Sequence, residues 1–338
     1  MKALLIGGTG QISLAVTKKL VQDGWEVYLL NRGNRNHELP KGVTPIVADI
    51  NDEKTVLEKT EGMEFDCVCE FIGRLKEHVV RDVRLFSGRC RQYVYISSAS
   101  VYHKPVANYI IHEGTTIANP YWAYAQNKIA CETYLMERFR EDGFPVTIVR
   151  PSHTYDERRV PLALQGKHGC WQVIRRLQQG KPVIIPGDGT SLWTVTFTTD
   201  FAKGFVGLMG NRHAMGEVFH ITSDETLTWN QIYETIADGL GVKLNPYHVA
   251  SDFLAAVDKE YGYSGSLMGD KACSVVFDNT KLKETVPGYK AETPFHIGAR
   301  ISIDHMLNDP QLQVEDPEFD RWCDRVIEGL ERLKGTFA

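Results

Sequence analysis

The sequence predicts an α/β fold, a doubly wound parallel sheet with a smaller C-terminal lobe. Short apolar runs typical of buried strands alternate with segments of helical period through the first half of the chain. The first run, residues 2–6, is followed at once by a glycine-rich turn and a helix, as in the first unit of such a sheet. We therefore expect residues 1–155 to form the sheet domain, completed by segments within 183–222, and residues 156–338 to form mainly the smaller lobe.

The composition is that of an ordinary globular chain of 338 residues with a net charge of −5. No apolar run approaches the length of a membrane span and no leader-like segment is visible, so we expect a cytoplasmic protein without membrane contact. Seven cysteines without paired spacing favour neither a disulfide framework nor a metal site. The mild acidity and the lack of a basic run argue against a nucleic-acid partner.

The glycine-rich turn, Gly7-Gly-Thr-Gly10-Gln-Ile-Ser13, separates the first predicted strand from the first predicted helix. Glycines let backbone amides approach a pyrophosphate, and the helix N-terminus adds a partial positive charge. This turn therefore predicts a dinucleotide-binding, Rossmann-type domain. Ser13 replaces the third glycine that is usual in such turns, and it is small enough for the helix and the strand to pack closely.

The second predicted strand, residues 25–30, ends in a loop that contains Asn31, Arg32 and Arg35. An NAD site usually presents an acidic residue here to the ribose 2′-hydroxyl, whereas an arginine accommodates the 2′-phosphate of NADP. The loop contains no acid at this point. We expect an NAD(P) cofactor and favour NADP(H) over NAD(H), with ordinary solvated arginines as the alternative.

Four further strands are predicted in the first domain, at residues 44–50, 65–73, 93–97 and 144–151, with a helix over 75–88 between the second and third of them. The first ends in Asp49-Ile50, which is placed to meet the adenine edge. The second contains Glu70, which is either a substrate acid or, as we favour, a buried and paired carboxylate.

A serine cluster, Ser97 to Ser100, follows the 93–97 strand, and a helix containing Tyr124 and Lys128 comes after it. Residues four apart lie on the same helix face. A lysine and a cationic cofactor ring beside a tyrosine favour its phenolate, so Tyr124 is a candidate proton shuttle. One of the serine hydroxyls can polarise a substrate carbonyl beside it. The alternatives are an exposed Tyr/Lys pair and an ordinary serine turn.

The second half of the sequence predicts helices over 170–179, 199–210 and 229–240 and strands over 183–185 and 217–221. Thr228 is the expected N-cap of the 229–240 helix. Residues 261–269, rich in glycine and aromatic residues, are a candidate flexible lid or an ordinary loop. Residues 316–333 predict an amphipathic closing helix that covers the core, with a dimer contact as a second role.

The sequence resembles the extended short-chain dehydrogenase/reductases, the NAD-dependent epimerase/dehydratase family. The resemblance rests on the motifs above and on three further runs, which are Arg150-Pro-Ser-His-Thr-Tyr155, the Gly187-Asp-Gly189 turn and Gly216–Thr222. The resemblance covers most of the chain. It implies hydride transfer between a nicotinamide and a carbinol carbon. It also implies a homodimer that associates through the helices around 75–88 and 120–140.

The resemblance implies roles for individual residues. Tyr124 is the acid/base, Lys128 activates it and binds the cofactor ribose, and Ser98 holds the reacting oxygen. The residues implied at the cofactor are Gly7, Thr9, Gly10, Gln11, Ile12, Asn31, Arg32, Asp49, Ile50, Phe71, Gly73, Ser97, Tyr124, Lys128, Pro151 and His153. The residues implied at the substrate are Ser98, Ser100, His153 and Trp193.

Three departures from the family pattern bear on the substrate. Ala99-Ser100 stands where 4,6-dehydratases have an Asp-Glu pair, so dehydration is not expected. Trp193 stands where epimerases usually have an arginine that binds the nucleotide diphosphate, and His153 where an asparagine is common. Trp193 either offers a stacking surface or packs between the lobes. Replacement cations are available in the segment after Tyr155, at Arg158, Arg159, Lys167, His168, Arg175 and Arg176, and most of these are expected to be solvated.

Three functions remain open from the sequence. The leading one is an epimerase or related oxidoreductase that acts on a small-molecule sugar or sugar nucleotide. The second is a net NADP(H)-dependent ketone reductase or alcohol dehydrogenase with a smaller, less charged substrate. The third is an RNA-associated relative without catalysis, which the acidic charge and the intact Ser/Tyr/Lys set disfavour.

Overall fold

A computed structural model describes residues 1–337, and in it the predicted strands and helices alternate along the first half of the chain. The strands are β1 (Lys2–Ile6), β2 (Glu26–Asn31), β3 (Val43–Val47), β4 (Phe65–Glu70), β5 (Cys90–Ile96), β6 (Ile110–Ile111), β7 (Val146–Pro151), β8 (His153–Tyr155), β9 (Val183–Pro186), β10 (Leu192–Trp193), β11 (Val195–Phe197), β12 (Val218–Ile221), β13 (Leu227–Thr228), β14 (Pro246–Val249) and β15 (Val276–Phe277).

The helices are α1 (Gln11–Gln22), α2 (Glu53–Lys59), α3 (Lys76–Phe86), α4 (Ala123–Asp142), α5 (Trp171–Gln178), α6 (Thr198–Leu208), α7 (Trp229–Gly239), α8 (Ser251–Val257), α9 (Tyr263–Ser266), α10 (Thr280–Thr285), α11 (Phe295–Asn308) and α12 (Pro317–Gly335). A single π-helical turn, Leu267–Lys271, continues directly from α9. Within residues 1–337, no helix combines the length and the apolar character that crossing a membrane requires.

Seven strands form one parallel sheet in the order β12-β7-β5-β4-β1-β2-β3. The strand order reverses between β1 and β4, and ligands of such sheets bind in the crevice beyond the carboxyl ends of the strands at this reversal. The doubly wound fold predicted from the sequence is therefore confirmed. The glycine-rich turn, the turn after β4 and the serine cluster after β5 all lie at this edge.

Helices cover both faces of the sheet. On one face α1 and α6 bury residues such as Val16 and Phe205 against β1 and β4, and on the other α3 and α4 bury Leu85 and Leu135. A third core lies in the C-terminal lobe and includes Trp229. The smaller lobe therefore has a core of its own.

Within the stretch 183–222, only β12 joins the large sheet, and α6 packs against α1 on its face. The predicted strand at 183–185 is present as β9, but it pairs with β14 in the smaller lobe. Thr228 caps α7 as expected, because its hydroxyl accepts a hydrogen bond from the Gln231 N–H at 3.1 Å.

The interpretation of residues 261–269 as a flexible loop is wrong, since most of the stretch is helical. Its glycines serve close packing: a Cβ at Gly265 would lie 2.4 Å from the Trp122 ring, and one at Gly269 would lie 2.9 Å from the Trp122 Cβ. The Tyr263 side chain is buried. Glycines can give a backbone freedom, but Gly265 and Gly269 instead permit close contact between two segments.

Candidate active site

The glycine-rich turn is held by Ser13. The Ser13 hydroxyl accepts a hydrogen bond from the Gly10 N–H at 2.8 Å and donates one to the Gly7 carbonyl at 2.9 Å. Gly7 has a φ of +85°, and a Cβ there would come within 2.3 Å of Ile72. Only glycine meets both requirements. The residue in place of the third glycine thus helps to hold the turn in shape.

A cavity of about 390 Å³ opens beside this turn. It collects predicted cofactor residues from three separate segments, and these are Gly7, Thr9, Gly10, Asn31, Arg32, Asp49 and Ile50. We call it the adenosine cavity, because it lies beyond β1 and β2, where the fold places that half of a dinucleotide.

The two arginines of the adenosine cavity differ in their contacts. Arg35 makes a bidentate pair with Glu38, at 2.6 and 3.0 Å, so its charge is already balanced. Arg32 is exposed, and its guanidinium has no hydrogen bond or ion pair within residues 1–337. Among residues 1–337, Arg32 therefore supplies this cavity with an unpaired positive charge.

The side chains of three residues predicted at the cofactor make contacts within the protein. The Gln11 amide donates to the Thr154 carbonyl at 2.9 Å, Ile12 packs at the edge of the core, and Phe71 packs on Phe205 with ring centroids 5.4 Å apart. A helix N-terminus binds phosphate through backbone N–H groups, so Gln11 and Ile12 retain that means of contact. Contact of Phe71 with the cofactor stays a prediction.

The sequence left Glu70 as either a substrate acid or a buried, paired carboxylate, and the structure supports the second alternative. It accepts hydrogen bonds from the N–H groups of Ile72 and Gly73, at 2.5 and 2.6 Å, and its other oxygen lies 3.4 Å from Arg81. These bonds shape the turn after β4. The turn after β4 places the Gly73 carbonyl next to the Lys128 ammonium.

Lys128 is almost fully buried beneath the crevice. Its ammonium donates to the carbonyls of Gly73 and Ile96, at 2.8 and 2.6 Å, and lies 5.9 Å from the centre of the Tyr124 ring. Burial lowers the pKa of Lys128 to about 8. Two carbonyls therefore fix the ammonium below the tyrosine before any ligand is present.

A second cavity, of about 400 Å³, contains the predicted catalytic hydroxyls. We call it the catalytic cavity. Its walls include Ser98, Ser100, Tyr124, Pro151, His153 and Trp193. Lys128 lies behind Tyr124 and does not line this cavity. Ser97 is buried and its hydroxyl has no partner within residues 1–337.

The ionisation of Tyr124 reflects its surroundings. Burial raises the pKa of Tyr124 above its usual value, while the Ser98 hydroxyl and the Arg74 charge act in the opposite direction. The residue is therefore a phenol at neutral pH in this structure. The phenolate that we expected requires a further positive charge, which an oxidised nicotinamide ring supplies when it is bound.

His153 and Trp193 form part of the wall of the catalytic cavity. Burial lowers the pKa of His153 to about 3, so its imidazole is neutral, and its ring lies edge-on to Trp193 at 6.0 Å. The Trp193 N–H donates to the Lys271 carbonyl at 3.3 Å, and its ring packs on Trp229. Trp193 thus packs between the lobes and borders the cavity at the same time.

The catalytic cavity also contains side chains that the sequence did not predict there, and these include Arg74, Trp122, Asp270 and Lys271. The last two lie on the π-helical turn, a feature that is frequent at functional sites. Burial raises the pKa of Asp270 to about 6, and neither of its carboxylate oxygens accepts a hydrogen bond within residues 1–337. No pattern in the sequence marks this pair, because it reaches the cavity through the packing of Gly269 on Trp122.

A glycine-rich turn, the adenosine cavity and the Ser98, Tyr124 and Lys128 side chains meet at one edge of the sheet, an arrangement typical of dinucleotide-binding enzymes. Among residues 1–337, no group of three or more histidine, cysteine or acidic side chains is placed to hold a metal ion.

Comparisons with known proteins agree with this class. Residues 3–222 match the NAD dependent epimerase/dehydratase family. The chain is 23% identical over 293 residues to a 2'-dehydrokanamycin reductase of Streptomyces kanamyceticus, covering 86% of this chain and 80% of the relative. It is 26% identical over 253 residues to the chloroplast stem-loop binding protein of 41 kDa b of Arabidopsis thaliana, covering 71% and 63%.

Among solved structures, the UDP-glucuronic acid 4-epimerase of Bacillus cereus, in complex with UDP-glucuronic acid and NAD, aligns with a TM-score of 0.70. The alignment covers 91% of this chain and 99% of the epimerase at 19% identity, and it supports the fold. The chain belongs to the NAD-dependent epimerase/dehydratase family, and it is an enzyme of the extended short-chain dehydrogenase/reductase type.

Proposed function

We propose that the protein transfers a hydride between NADP(H) and a carbinol carbon of a sugar or sugar nucleotide, with Tyr124 as the acid/base. The observation that carries this proposal is the meeting of Ser98 and Tyr124 in one cavity with Pro151 and His153, above the buried ammonium of Lys128.

Each residue has a definable task in this proposal. The Ser98 hydroxyl holds the reacting oxygen, and the Tyr124 hydroxyl gives its proton to that oxygen during reduction or accepts it during oxidation. Lys128 stabilises the phenolate by its charge. The neutral imidazole of His153 adds no positive charge of its own beside a ring that becomes positive.

The adenosine cavity supports NADP(H) as the cofactor. Arg32 is an unpaired guanidinium in that cavity, while the charge of Arg35 is balanced by Glu38. A guanidinium binds phosphate through two parallel N–H···O bonds, and no acidic residue occupies the end of β2, where an NAD site presents one to the ribose.

The reaction itself is proposed as an epimerisation through a transient ketone, in which the hydride returns to the same substrate. Net reduction of a ketone is the second candidate. It is favoured by Trp193, which occupies the position of the family's phosphate-binding arginine, and by similarity to a reductase of 2'-dehydrokanamycin. The two candidates use the same Ser98 and Tyr124 chemistry and differ in the fate of the cofactor.

The first experiment is to denature freshly purified protein and to identify the dinucleotide that it releases by mass and absorbance. Stoichiometric oxidised cofactor supports an epimerase that recycles its hydride. Cofactor-free protein that binds NADPH and consumes it with ketone substrates supports the reductase. Failure to bind either dinucleotide, together with no hydride transfer from a panel of sugar nucleotides and free sugars, contradicts both candidates.

A further inference from the structure

Asp270 brings a carboxylate into the catalytic cavity that the proposed reaction does not use. Within residues 1–337, neither of its carboxylate oxygens accepts a hydrogen bond, and no cation pairs with it. The proposed reaction gives tasks to Ser98, Tyr124 and Lys128 and none to Asp270. An ionised carboxylate has two oxygens that can each accept hydrogen bonds. The acceptors of Asp270 are therefore available to a ligand in this cavity.

The backbone is held on both sides of Asp270. Before it, the Gly269 carbonyl accepts a hydrogen bond from the Asn119 amide at 2.5 Å. After it, the Lys271 carbonyl accepts one from the Trp193 indole N–H at 3.3 Å. The π-helical turn therefore presents the carboxylate from a backbone whose position is already fixed, as a group that selects among ligands requires.

Asn119 also ties this turn to the serine cluster after β5. Its side chain is buried, and its amide donates to the Ser100 carbonyl at 2.7 Å as well as to the Gly269 carbonyl. One side chain thus bridges the segment of Ser98 and the segment of Asp270. Because both residues line the same cavity of about 400 Å³, a ligand whose reacting oxygen lies at Ser98 can also contact Asp270.

Two indole rings border the same cavity. Trp193 is buried between the lobes, and the ring centre of Trp122 lies 5.0 Å from that of Tyr124. Aromatic rings offer an apolar surface to the C–H groups of a sugar ring, while a few polar groups among them orient the ligand. Indoles together with an unpaired carboxylate therefore fit a compact group that carries several hydroxyls.

The charges around Asp270 indicate which kind of donor it can receive. Arg74 and Lys271 line the catalytic cavity with it. Burial raises the pKa of Asp270, and the charges of Lys104 and Lys271 act in the opposite direction. A substrate ammonium beside Asp270 would be repelled by these cations, whereas a hydroxyl would not. The donor that fits is therefore neutral.

We propose that Asp270 is a specificity-determining residue, whose carboxylate accepts hydrogen bonds from hydroxyl groups next to the reacting carbinol of the substrate. This inference rests on the proposed function, and it narrows the substrate class to sugars with neutral hydroxyls, and no amino group, beside that carbinol. A site built around such an acceptor rejects an analogue that lacks the donor, because the carboxylate then stays unpaired in the closed cavity.

The test is titration of D-glucose, D-galactose and D-mannose into Tyr124→Phe protein saturated with NADP⁺, in which turnover is prevented. Tryptophan fluorescence reports binding, because Trp122 and Trp193 border the cavity. At least one sugar is expected to bind saturably, and tetrahydropyran, the same ring without hydroxyls, to bind about ten-fold more weakly or worse. The 2-amino analogue of that sugar, an ammonium at neutral pH, is expected to bind more weakly than the sugar itself.

Two substitutions of Asp270 in this protein identify the acceptor. Asp270→Ala is expected to weaken binding of the sugar by about ten-fold or more and to leave binding of tetrahydropyran within about two-fold. Asp270→Asn keeps one acceptor oxygen but no charge, so a smaller loss is expected. Asp238→Ala, which removes an exposed acid of α7 in the same lobe, is the matched control and is expected to change neither. Affinity for NADP⁺ is expected to be the same in all of these proteins.

Four results overturn this role of Asp270: no saturable binding of any of the three sugars, sugar binding that Asp270→Ala leaves unchanged, tighter binding of the amino analogue, or a loss of NADP⁺ affinity in Asp270→Ala, which assigns the carboxylate to the cofactor. The readout is independent of catalysis. Sugar binding that depends on Asp270 in a protein whose wild type transfers no hydride contradicts only the proposed reaction. Hydride transfer by a protein whose sugar binding ignores Asp270 contradicts only this inference.

Discussion

The catalytic and adenosine cavities are similar in volume but differ in how their key polar groups are held. In the catalytic region, the Lys128 ammonium is buried and bonded to two backbone carbonyls, and Tyr124 is half-buried above it. In the adenosine cavity, Arg32 is exposed and has no partner within residues 1–337. The groups proposed for proton transfer are thus positioned in advance, whereas no protein partner within residues 1–337 holds the group proposed for cofactor choice.

Removal of the Tyr124 hydroxyl tests the catalytic cavity and is expected to have the largest effect. We expect Tyr124→Phe to lower the rate of hydride transfer by about 10³-fold, because general acid–base catalysis contributes on that order. Single-turnover absorbance at 340 nm measures this, and cofactor affinity is expected to stay unchanged. Tyr121→Phe, at an exposed neighbouring tyrosine, is the control. A Tyr124→Phe enzyme with near wild-type rates would assign the proton to another group.

Ser98 is expected to have the next largest effect. Its hydroxyl lies 2.9 Å from that of Ser100 and faces the catalytic cavity. We expect Ser98→Ala to lower kcat by about 100-fold with little change in KM for the cofactor, as removal of a donor to the reacting oxygen does. Steady-state kinetics measure this, with the exposed Ser87→Ala as control. An unchanged kcat would remove Ser98 from the mechanism.

A substitution of Arg32 tests the adenosine cavity, where the proposed cofactor ligand has no protein partner within residues 1–337. We expect Arg32→Ser to weaken NADPH binding about ten-fold and to leave NADH binding within about two-fold, because only NADPH has the 2′-phosphate that a guanidinium binds. Fluorescence titration of both cofactors measures this. Arg35→Ser is the matched control, since the charge of Arg35 is already paired. Equal losses for both cofactors would argue against a 2′-phosphate site.

The pH dependence of the rate tests Lys128 and has the smallest expected effect. Because burial lowers the pKa of Lys128 to about 8, its positive charge is present below that pH and lost above it. We expect kcat/KM to decline above about pH 8. In Lys128→Arg the decline is expected to move to higher pH, since a guanidinium stays protonated. Lys76→Arg on the surface is the control, and a wild-type profile that stays flat to pH 10 would contradict the assignment.

Much of the fold and part of the site could be predicted from local sequence. The strand, turn and helix of residues 2–22 predicted the first unit of the sheet, because burial of a strand and the φ of a glycine are local requirements. The same holds for Tyr124 and Lys128, whose four-residue spacing places them on one helix face. The cap of α7 by Thr228 is likewise a matter of a few neighbouring residues.

Other features depended on contacts between distant segments. The composition of residues 261–269 predicted a loop, but most of these residues are helical. They pack against Trp122, which lies more than 130 positions earlier in the chain. Asp270 and Lys271 reach the catalytic cavity for the same reason. Phe71 follows β4 as predicted, but the side of the turn that it faces was decided by the position of Phe205 on α6.

The sequence by itself determined the fold class, the glycine-rich turn and the common helix face of Tyr124 and Lys128, because these depend on spacing along the chain. The choice of Ser98 among the serines rested on the family resemblance. Only the tertiary structure decided which charges are free. Arg32 and Arg35 look alike in sequence, as do Arg158 and Arg159, yet Glu38 and Asp156 balance one member of each pair. Ion pairing depends on distances of a few ångströms between side chains, and those distances exist only after the chain has folded.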